Sequence, residues 1–549
     1  ACPPTSAAWV LKSPKIKLNT KTNRGVAHNA RIDFYHIPIF YFPYISFPLS
    51  KDRQSGFLFG SVGYSKKNGY SIAAPYYLNL APNYDDTFTP EFFSRRGWLL
   101  NNRFNYLTSH HSGSFYTNFL NDRIKPVHDN NYYFYSLIDH GSFGDHFNSD
   151  FNFPYVNNAV LLQDFDIPGN PLQNDDSNTS QSDVTSYLTR SLTLNYQQSA
   201  YNLNLVTQTY QTIDQNINAA NLPYQLLPQL NLNSERNIGP IDFSVFAQAS
   251  VFSKKQQDTN DLIVNRARRI INRPSFSLNQ VRSYGSMSEA LDLNMQHYHL
   301  GDTTSRFNDQ NIQYLIPQYS LDGKLDFERD MHAFSHHYVQ TLTPHLFYLY
   351  TPYRDQNHTP IFDSSPIAFS YDSLFSKNRF SGYDRISDAN QISAALSSDF
   401  INDSGLTKLS LGIGQIYYFT PSKTTICDNS QNPSCILSEM PDNTRSYSDI
   451  ASRAKWYFNP QTSLSTDLNY DPQNKAISSQ IYTLSYLQDP EHLVNLSYQN
   501  SQTDYSQLTT EQILEGKTPP RLSQITTSTV WAIVPRVAFY GSWNYLLKQ

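Results

Sequence analysis

The side chains with the most chemical potential in this sequence are paired histidines, three cysteines and one block rich in Asp and Arg. His297 and His299 are two positions apart, so on a strand they would share one face, as two metal ligands could. No third ligand is placed beside them or beside His110-His111 and His336-His337, so histidines that face a polar interior or lie in loops are favoured. The sequence also contains no nucleophile elbow, phosphate-binding loop or paired-histidine zinc motif. We therefore predict neither an enzyme nor a cofactor site.

Cys427 and Cys435 are eight positions apart in a polar segment that also contains Asn429 and Pro433. They form no CxxC pair and have no cluster of histidines nearby, which argues against a metal site. In an oxidising compartment a local disulfide between them is expected, and two free thiols are the alternative. That pairing would leave Cys2 without a partner inside this chain.

The segment Tyr353–Gln391 is unusually polar for a lipid-spanning segment. It can be a solvated loop, or a structured loop folded against a polar interior, in which case its buried charges need partners. In the second interpretation, a salt-bridged network would be drawn from seven residues: Arg354, Asp355, Asp363, Arg379, Asp384, Arg385 and Asp388.

The elements that would position these residues are predicted by alternation of apolar and polar side chains from Ser55 onward. Clear examples are residues 191–196, 201–205, 243–249, 409–414, 464–470 and 482–486. Because alternate side chains of a strand point to opposite faces, these segments predict strands with one apolar and one polar face. The polar face carries Asn, Gln, Ser and Thr more often than charge, which suits a water-filled interior.

The composition favours the same kind of sheet. The 549 residues include 40 Tyr and 34 Phe, but only 16% are charged and 39% are hydrophobic, whereas roughly 25% are charged in an ordinary soluble chain. This balance suits a sheet with one lipid-facing side and one polar side. No run of about 18 apolar residues is present, so no transmembrane helix is predicted. The formal net charge of −5 and the lack of a basic stripe give no case for binding nucleic acid.

Short and long connections alternate toward the C-terminus. Residues 459–461 and 534–536 are short links, whereas residues 501–521 form a long one. Outer-membrane barrels have short periplasmic turns and longer outer loops. We therefore predict an all-β protein that forms a large antiparallel transmembrane β-barrel, with the loop that carries Cys427 and Cys435 on the outer side.

The stretch Ile37–Gly97 organises the start of this predicted barrel. An aromatic tract broken by prolines comes first, and two strand-like arms, Gly56–Tyr64 and Tyr70–Asn79, follow. The Asn-Gly pair between the arms is a strong hairpin signal, because both residues tolerate positive φ. Pro75 lies inside the second arm, where proline removes a ladder donor, so a local bulge is one interpretation.

This stretch resembles the start of the barrel in the LptD family of outer-membrane lipopolysaccharide-assembly proteins. The resemblance is carried, in the family's order, by PIFYFPY, SGFLF, GYSKKNGY, PYYLNLAPNYD and SRRG. Pro352–Gln391 agrees as well, through PYRDQ, FDSS, YDSLF and NRFSGYDRISDANQ, and FERD and GQIYYF add to the match. The resemblance covers nearly the whole chain.

The resemblance implies a barrel of twenty-six strands that follows a periplasmic β-jellyroll. It divides this chain into residues 1–49, the end of the jellyroll domain, and residues 50–549, the barrel. The sequence contains somewhat over twenty candidate strands, so the C-terminal strands are expected to be missing. An unclosed barrel would leave unpaired edges in lipid, and the chain opens without a signal peptide, so we expect a fragment of a longer protein.

The resemblance also implies a function in membrane biogenesis at the Gram-negative cell outer membrane. The protein would insert lipopolysaccharide into the outer leaflet through a polar lumen and a lateral gate. Implied partners are lipopolysaccharide, an LptE-like lipoprotein that plugs the lumen and an LptA-like periplasmic bridge.

In the family, prolines in the first two strands weaken pairing beside the gate. Pro75 matches one of them, and Gly60 stands at the position of the other. Replacing Pro75 with Ala would restore one donor and replacing Gly60 with Val would stiffen the first strand, so both replacements are expected to slow export of lipopolysaccharide. The resemblance further favours the folded form of the loop in Tyr353–Gln391, and it gives Cys2 a partner outside this chain.

Two other functions stay open at this point. A porin or TonB-dependent transporter would lack the aromatic, proline-broken entry tract, and the transporter would carry a plug domain upstream. A secreted all-β glycan-binding protein would need charge on its solvent face, which most of these strands lack.

Overall fold

The structure is a computed structural model that describes residues 9–20, 23–34, 37–49, 53–58, 60–124, 131–170, 187–214, 222–254, 264–301, 309–333, 336–426, 445–502, 521–534 and 537–548. The chain divides into two compact units, one of Ala1–Gln198 with Leu203–Gln229 and one of Ser199–Asn202 with Leu230–Gln549.

A small antiparallel sheet opens the first unit. It contains β1 (Trp9–Lys12), β2 (Lys15–Asn19), β3 (Arg24–Phe34) and β4 (Ile37–Pro48). β1 and β2 pair with β3, and β4 pairs with β3 from Arg24 to Phe34. A second sheet begins at Gly56, so the change of sheet falls near the predicted boundary between residues 49 and 50. The assignment of two domains stays a prediction.

The other strands form one large antiparallel sheet of 26 segments among the described residues. The first eleven are β5 (Gly56–Phe57), β6 (Ser61–Ser65), β7 (Gly69–Ala73), β8 (Tyr76–Ala81), β9 (Tyr84–Phe93), β10 (Gly97–Leu107), β11 (His111–Asn121), β12 (Asn131–Phe143), β13 (Phe147–Val156), β14 (Tyr187–Gln197) and β15 (Tyr201–Thr212). The next eight are β16 (Gln225–Ile238), β17 (Ile241–Ser253), β18 (Arg266–Arg282), β19 (Gly285–Leu300), β20 (Asn311–Leu325), β21 (Phe327–Ala333), β22 (His336–Thr351) and β23 (Ala389–Asn402). The last seven are β24 (Thr407–Tyr418), β25 (Ile450–Tyr457), β26 (Thr462–Asp471), β27 (Ala476–Asp489), β28 (His492–Gln502), β29 (Arg521–Val534) and β30 (Val537–Lys548).

Two of the 26 segments prolong a neighbour along the same partner without a change of register: β8 continues β7 along β9, and β21 continues β20 along β22. β6 follows β5 in one arm of a hairpin, but β5 pairs with β8 and β6 pairs with β7, and the register shifts by one residue between them. The all-β antiparallel fold class is confirmed, and the expectation that further strands lie outside this chain stays a prediction.

In the second unit, the exposed face of the sheet is apolar and the buried face is polar. On β19, Asp292, Asn294 and Gln296 are buried, whereas Leu291 and Met295 on the other face are 42% and 37% exposed. A sheet that faces water on one side shows the opposite distribution. The inversion suits lipid on one face and a polar interior on the other, as the alternation predicts.

In the first unit, the chain that follows β13 folds back onto the sheet. We call residues 157–170 the inner loop; it contains the short helix α1 (Val160–Asp164). Leu161, Phe165 and Ile167 of this loop pack against buried Leu99 and Leu120 of the sheet. Burying a side chain of this size contributes about 1.5–3 kcal/mol, so the inner loop is firmly attached.

None of the helices in the described parts of the chain has both the length and the apolar character needed to cross a membrane.

Candidate functional site

The first hairpin, Gly56–Ala81, is interrupted at the same level in both arms. The Asn-Gly turn is confirmed: β6 pairs with β7, and Gly69 has a φ of 78°. Farther from the turn, Phe57 pairs with Tyr76, but the register has shifted by one residue. The first arm thus contains one extra residue, as in a β-bulge, and the predicted continuous arms are each split into two short segments.

Pro75 removes a donor inside this interruption. The Leu58 amide donates to the Pro75 carbonyl at 2.9 Å, and in an antiparallel ladder such a pair normally exchanges a second bond in return. Proline has no N–H, so the bond to the Leu58 carbonyl cannot form. On the other side, Ala74 still donates to the Pro90 carbonyl at 3.1 Å. The missing donor therefore weakens the contact between the two arms.

Gly60 lies at the interruption for a different reason. A Cβ on Gly60 would lie 2.4 Å from the carbonyl oxygen of Ala73, which is a backbone atom of the opposite arm. The close approach of the two arms thus requires glycine. Any side chain at Gly60 must push the arms apart, which does not support a stiffening of the first strand by Gly60→Val. The effect of this replacement on export stays a prediction.

The end of the hairpin away from the turn is tied by polar contacts. Arg53 forms an ion pair with Asp85 at 2.6 Å. The backbone N–H of Asn79 donates to Ser55 Oγ at 2.9 Å, and its side-chain Nδ2 donates to the Arg53 carbonyl at 2.8 Å. These contacts hold the entry to the first arm against the second arm and β9.

The tip of the hairpin, Lys66–Gly69, is tied to the inner loop. Asn68 Nδ2 donates to the Asp164 carbonyl at 2.7 Å, and Lys67 forms an ion pair with the Asp164 carboxylate. The Ser94 amide also donates to the Tyr70 carbonyl at 2.9 Å. The hairpin is therefore held at both ends and has its weakest pairing in the middle.

A buried arginine organises the tip contacts. Arg96 lies between Asp122, at 2.7 Å, and Asp164, at 2.9 Å, and all three side chains are 5% exposed or less. The guanidinium also lies over the Phe165 ring, 4.9 Å from its centroid. We call Lys67, Arg96, Asp122 and Asp164 the latch.

The latch is not apparent from the sequence, although SRRG carries part of the family resemblance. The Arg96–Asp122 pair follows from hairpin topology, because Arg96 immediately precedes β10 and Asp122 immediately follows its antiparallel partner β11. Asp164 comes from the inner loop, and no linear pattern places it there.

In the second unit, residues 352–388, which we call the long loop, connect β22 to β23 and contain a 3₁₀ turn at Asp372–Phe375. Leu374 of that turn is fully buried, in a cluster with Ile416 and Ala451. A Cβ on Gly414 would lie 2.7 Å from Leu374 Cδ1, so the glycine on β24 leaves room for the turn. The long loop is folded against the sheet.

Arg269 of β18 is the main charged anchor of the long loop. Its fully buried guanidinium donates to Asp384 at 2.6 Å and to Asp363 at 2.9 Å. Asp384 also accepts the backbone N–H groups of Phe362 and Asp363, at 2.7 and 2.8 Å. Burial by itself would raise the pKa of Asp363, but the hydrogen bond to Arg269 and its positive charge outweigh burial and hold that pKa below its ordinary value.

The other predicted residues of the network do not form ion pairs with one another. Arg385 is fully buried and donates to the Thr359 carbonyl at 2.9 Å. Arg379 donates to the Thr424 carbonyl, and Asp388 accepts the Thr424 amide at 2.8 Å.

Arg354 and Asp355 are exposed and lie outside these contacts. The strands also supply ionic partners to the long loop: Lys377 of the loop pairs with Asp292 of β19 at 2.6 Å. The roles of Arg269 and Asp292 are not apparent from the sequence, because nothing in their own segments indicates a distant partner.

The three cysteines and the histidine pair are the remaining predicted site residues. Cys2, Cys427 and Cys435 lie outside the described residues. His297 and His299 share the face of exposed Leu291 and Met295 rather than the polar face. Among the residues that the structure describes, no group of three or more His, Cys, Asp or Glu could hold a metal ion.

Comparison with known proteins bears on what this arrangement does. A family model described as LPS transport system D, LptD, matches residues 130–537. The LPS-assembly protein LptD of Legionella pneumophila (strain Paris) is 32% identical over 581 residues, which cover 100% of this chain and 67% of the relative. The LPS-assembly protein LptD of Pseudomonas aeruginosa (strain LESB58) is 30% identical over 590 residues, which cover 99% of this chain and 62% of the relative.

The chain thus spans about two thirds of the length of these relatives. Among solved structures, the siderophore receptor PirA of Pseudomonas aeruginosa matches with a TM-score of 0.30 and 10% identity, over 87% of this chain and 74% of that one. This likeness is too weak to carry an argument.

Proposed function

The chain belongs to the LptD family, and from that premise we propose that it exports lipopolysaccharide into the outer leaflet through a gate at the first hairpin. The protein is located in the cell outer membrane. An apolar exposed face and a polar buried face in the second unit support this location. The alternatives of a porin, a TonB-dependent transporter or a secreted glycan-binding protein are not favoured by the relatives.

The observation that carries the proposal is the interrupted middle of the first hairpin between two tied ends. Leu58 and Pro75 share one bond where an unbroken ladder would have two. A ladder bond contributes about 1 kcal/mol net in water and more where water is absent. A local opening here therefore costs less than in an unbroken ladder, while the tied ends limit its extent.

The transport step is passive at this protein. The lipid chains of the substrate would leave through the weakened strands into the membrane, and the saccharide would travel along the polar face. The sequence contains no phosphate-binding loop, so the energy would come from another component.

The family resemblance supports two protein partners. An LptE-like lipoprotein would occupy the polar interior, and an LptA-like periplasmic bridge would deliver the substrate. The same resemblance supports a Cys2 partner outside this chain, whereas the close spacing of Cys427 and Cys435 supports a disulfide between them.

The proposal is tested by Pro75→Ala in the full-length protein. Alanine supplies the N–H that can return a bond to the Leu58 carbonyl, so we expect slower export without loss of the folded protein. Surface lipopolysaccharide and sensitivity to large hydrophobic antibiotics are measured in cells at matched protein levels.

Pro154→Ala is the matched control, because Pro154 is also a strand proline of the first unit, on β13 and outside the hairpin. We expect normal export from this control. Normal export from Pro75→Ala at normal protein levels would show that the gate does not depend on the interruption.

A further inference from the structure

A group of basic side chains lies on the outward face of the second unit. Arg266 and Arg268 of β18 are exposed, whereas Arg269 on the other face of the strand is buried. On the neighbouring strand β19, His297 and His299 share the outward face, and Arg268 pairs directly with His299 in the ladder. Opposite and diagonal neighbours on one face of an antiparallel pair are close enough to contact one ligand together. We call Arg266, Arg268, His297 and His299 the basic patch.

The basic patch lies at the end of the sheet that has the long connections. Arg266 starts β18, Leu300 ends β19 and Thr351 ends β22 where the long loop begins, and the ladder registers place all three at the same end. At the opposite end the links are short, as residues 283–284 and 403–406 show. Since outer-membrane barrels have short periplasmic turns and longer outer loops, the basic patch belongs to the outer-leaflet side.

The outward residues at this end of other strands are of a different type. Tyr350 of β22 and Tyr417 of β24 are exposed there. Aromatic side chains are usual where a barrel meets the lipid headgroups, whereas a cation that faces hydrocarbon is unfavourable and becomes acceptable only near the headgroups. The two arginines therefore lie at the level of the headgroups, at a position where the neighbouring strands carry aromatic rings.

An apolar strip continues from the basic patch toward the middle of the same face. Ile270 follows Arg268 by two positions, and Met295 pairs directly with Leu315 of β20. These three apolar side chains are exposed on adjacent strands. We call Ile270, Met295 and Leu315 the apolar strip. A molecule that contacts both the basic patch and the apolar strip must be anionic at one end and apolar at the other.

The guanidinium groups of Arg266 and Arg268 are available to such a molecule. Neither side chain forms an ion pair or a hydrogen bond with any other residue that the structure describes. Asp309, just before β20, is exposed and pairs with neither arginine. No Asp or Glu occurs in the strand segments around the basic patch, which are residues 266–272, 295–300 and 311–317. A guanidinium presents five N–H donors in a planar fork that matches the oxygens of a phosphate.

We propose that the basic patch binds the phosphate group of an anionic outer-leaflet lipid whose acyl chains lie along the apolar strip. Arg266 and Arg268 donate charge-assisted hydrogen bonds to the phosphate oxygens. His299 Nδ1 lies 2.9 Å from Asn311 Oδ1, a contact that holds the imidazole ring beside the arginines. A free anion would match only the charge, whereas a lipid matches the charge and the strip.

The inference goes beyond export through the first hairpin. It depends on the outer-membrane location and on residues of the second unit, whereas the first hairpin belongs to the first unit. The bound lipid would be a component of the surrounding membrane held on the outward face.

Native mass spectrometry of the full-length protein in detergent micelles tests the binding. Lipid A, a phosphorylated glycolipid, is the probe, and phosphatidylcholine, whose phosphate is balanced by its own cation, is the comparison lipid. We expect lipid A to bind at least about tenfold more tightly, as a charge-assisted hydrogen bond implies. Inorganic phosphate at the same concentration should not displace lipid A, because it lacks the acyl chains that contact the apolar strip.

A double variant locates the site. Arg266→Gln combined with Arg268→Gln removes both charges, and we expect lipid A to bind at least about tenfold more weakly at this site. Arg282→Gln is the matched control, because Arg282 lies at the other end of β18, where its guanidinium donates to the Val281 carbonyl at 3.1 Å. The control should bind lipid A like the unaltered protein. Heat-modifiable gel migration verifies that each variant is folded.

Three results would overturn the inference. Unchanged lipid A binding in the double variant would mean that the basic patch holds no lipid. An equal loss in Arg282→Gln would mean that binding follows total charge and not this site. Displacement by an equal concentration of inorganic phosphate would mean that the occupant is a free anion. A failure of the proposed export appears elsewhere, as surface lipopolysaccharide that is unchanged when the protein is depleted from cells.

Discussion

The replacement Asp164→Asn should release the tip of the first hairpin. Asp164 is the latch residue that connects the inner loop to both Lys67 and Arg96. Asparagine keeps the volume of the side chain and removes its charge, so the packing of the inner loop is preserved while the ion pairs are lost.

The free energy lost in Asp164→Asn depends on how exposed the two ion-pair partners of Asp164 are. Lys67 is 67% exposed, so its pair with Asp164 contributes under about 1 kcal/mol. Arg96 and Asp164 are buried, and a hydrogen bond between charged groups contributes about 1.5–3 kcal/mol. Since Arg96 keeps Asp122, the roughly 3–5 kcal/mol for breaking a buried pair is not reached. We expect Asp164→Asn to destabilise the attached tip by about 2–3 kcal/mol, which is roughly a 30- to 150-fold shift toward the released tip.

Hydrogen–deuterium exchange in the full-length protein measures this shift. The Ser94 amide, which donates to the Tyr70 carbonyl, should exchange faster in Asp164→Asn by about the calculated factor. Lys67→Met is the matched control and should change exchange by less than about fivefold, as an exposed pair implies.

Two results would refute the reasoning. Exchange at the tip that is unchanged in Asp164→Asn would mean that the latch does not hold the hairpin. An equal effect of Lys67→Met and Asp164→Asn would mean that the buried Arg96 contact contributes nothing beyond the exposed one.

Other predictions concern the hairpin, the long loop and the thiols. Gly60→Ala should lower the thermal stability of the folded protein in gel-shift assays, because its Cβ would collide with a backbone oxygen; unchanged migration and melting would contradict this. The contribution of Asp363 to stability should be present above the ordinary carboxyl pKa of about 4 and should be lost as the pH falls through its lowered folded-state pKa. Limited proteolysis of the long loop against pH should show this loss, and Asp363→Asn should remove the pH dependence. Cys427 and Cys435 should appear as one linked peptide pair in non-reduced mass spectrometry, and a link from Cys2 to either would contradict the pairing.

The strands and the hairpin turn could be predicted from the sequence because both are local. The alternation of apolar and polar residues depends only on residues i and i+2, so the segments 191–196 and 409–414 indicate strands by themselves. The Asn-Gly turn needs only two adjacent residues. The loss of a donor at Pro75 is also local, since it follows from the chemistry of one residue.

The residues that Pro75 and Gly60 contact could not be predicted from neighbouring positions in the sequence. Leu58 faces Pro75 only because the register shifts inside the hairpin, and that shift also brings Gly60 against Ala73. The sequence indicates only that Gly60 stands at the position of a family proline, whereas the structure shows a close backbone approach.

Alternation and composition by themselves determined that this chain forms strands with one apolar and one polar face, because alternate side chains of a strand point to opposite faces and so alternate in residue type. The tertiary structure alone decided which charges meet. Arg96 reaches Asp164 across 68 positions, and Arg269 reaches Asp384 across 115. Buried charges require a partner whose position depends on how the loops fold back onto the sheet. No residue beside Arg269 in the chain carries that information.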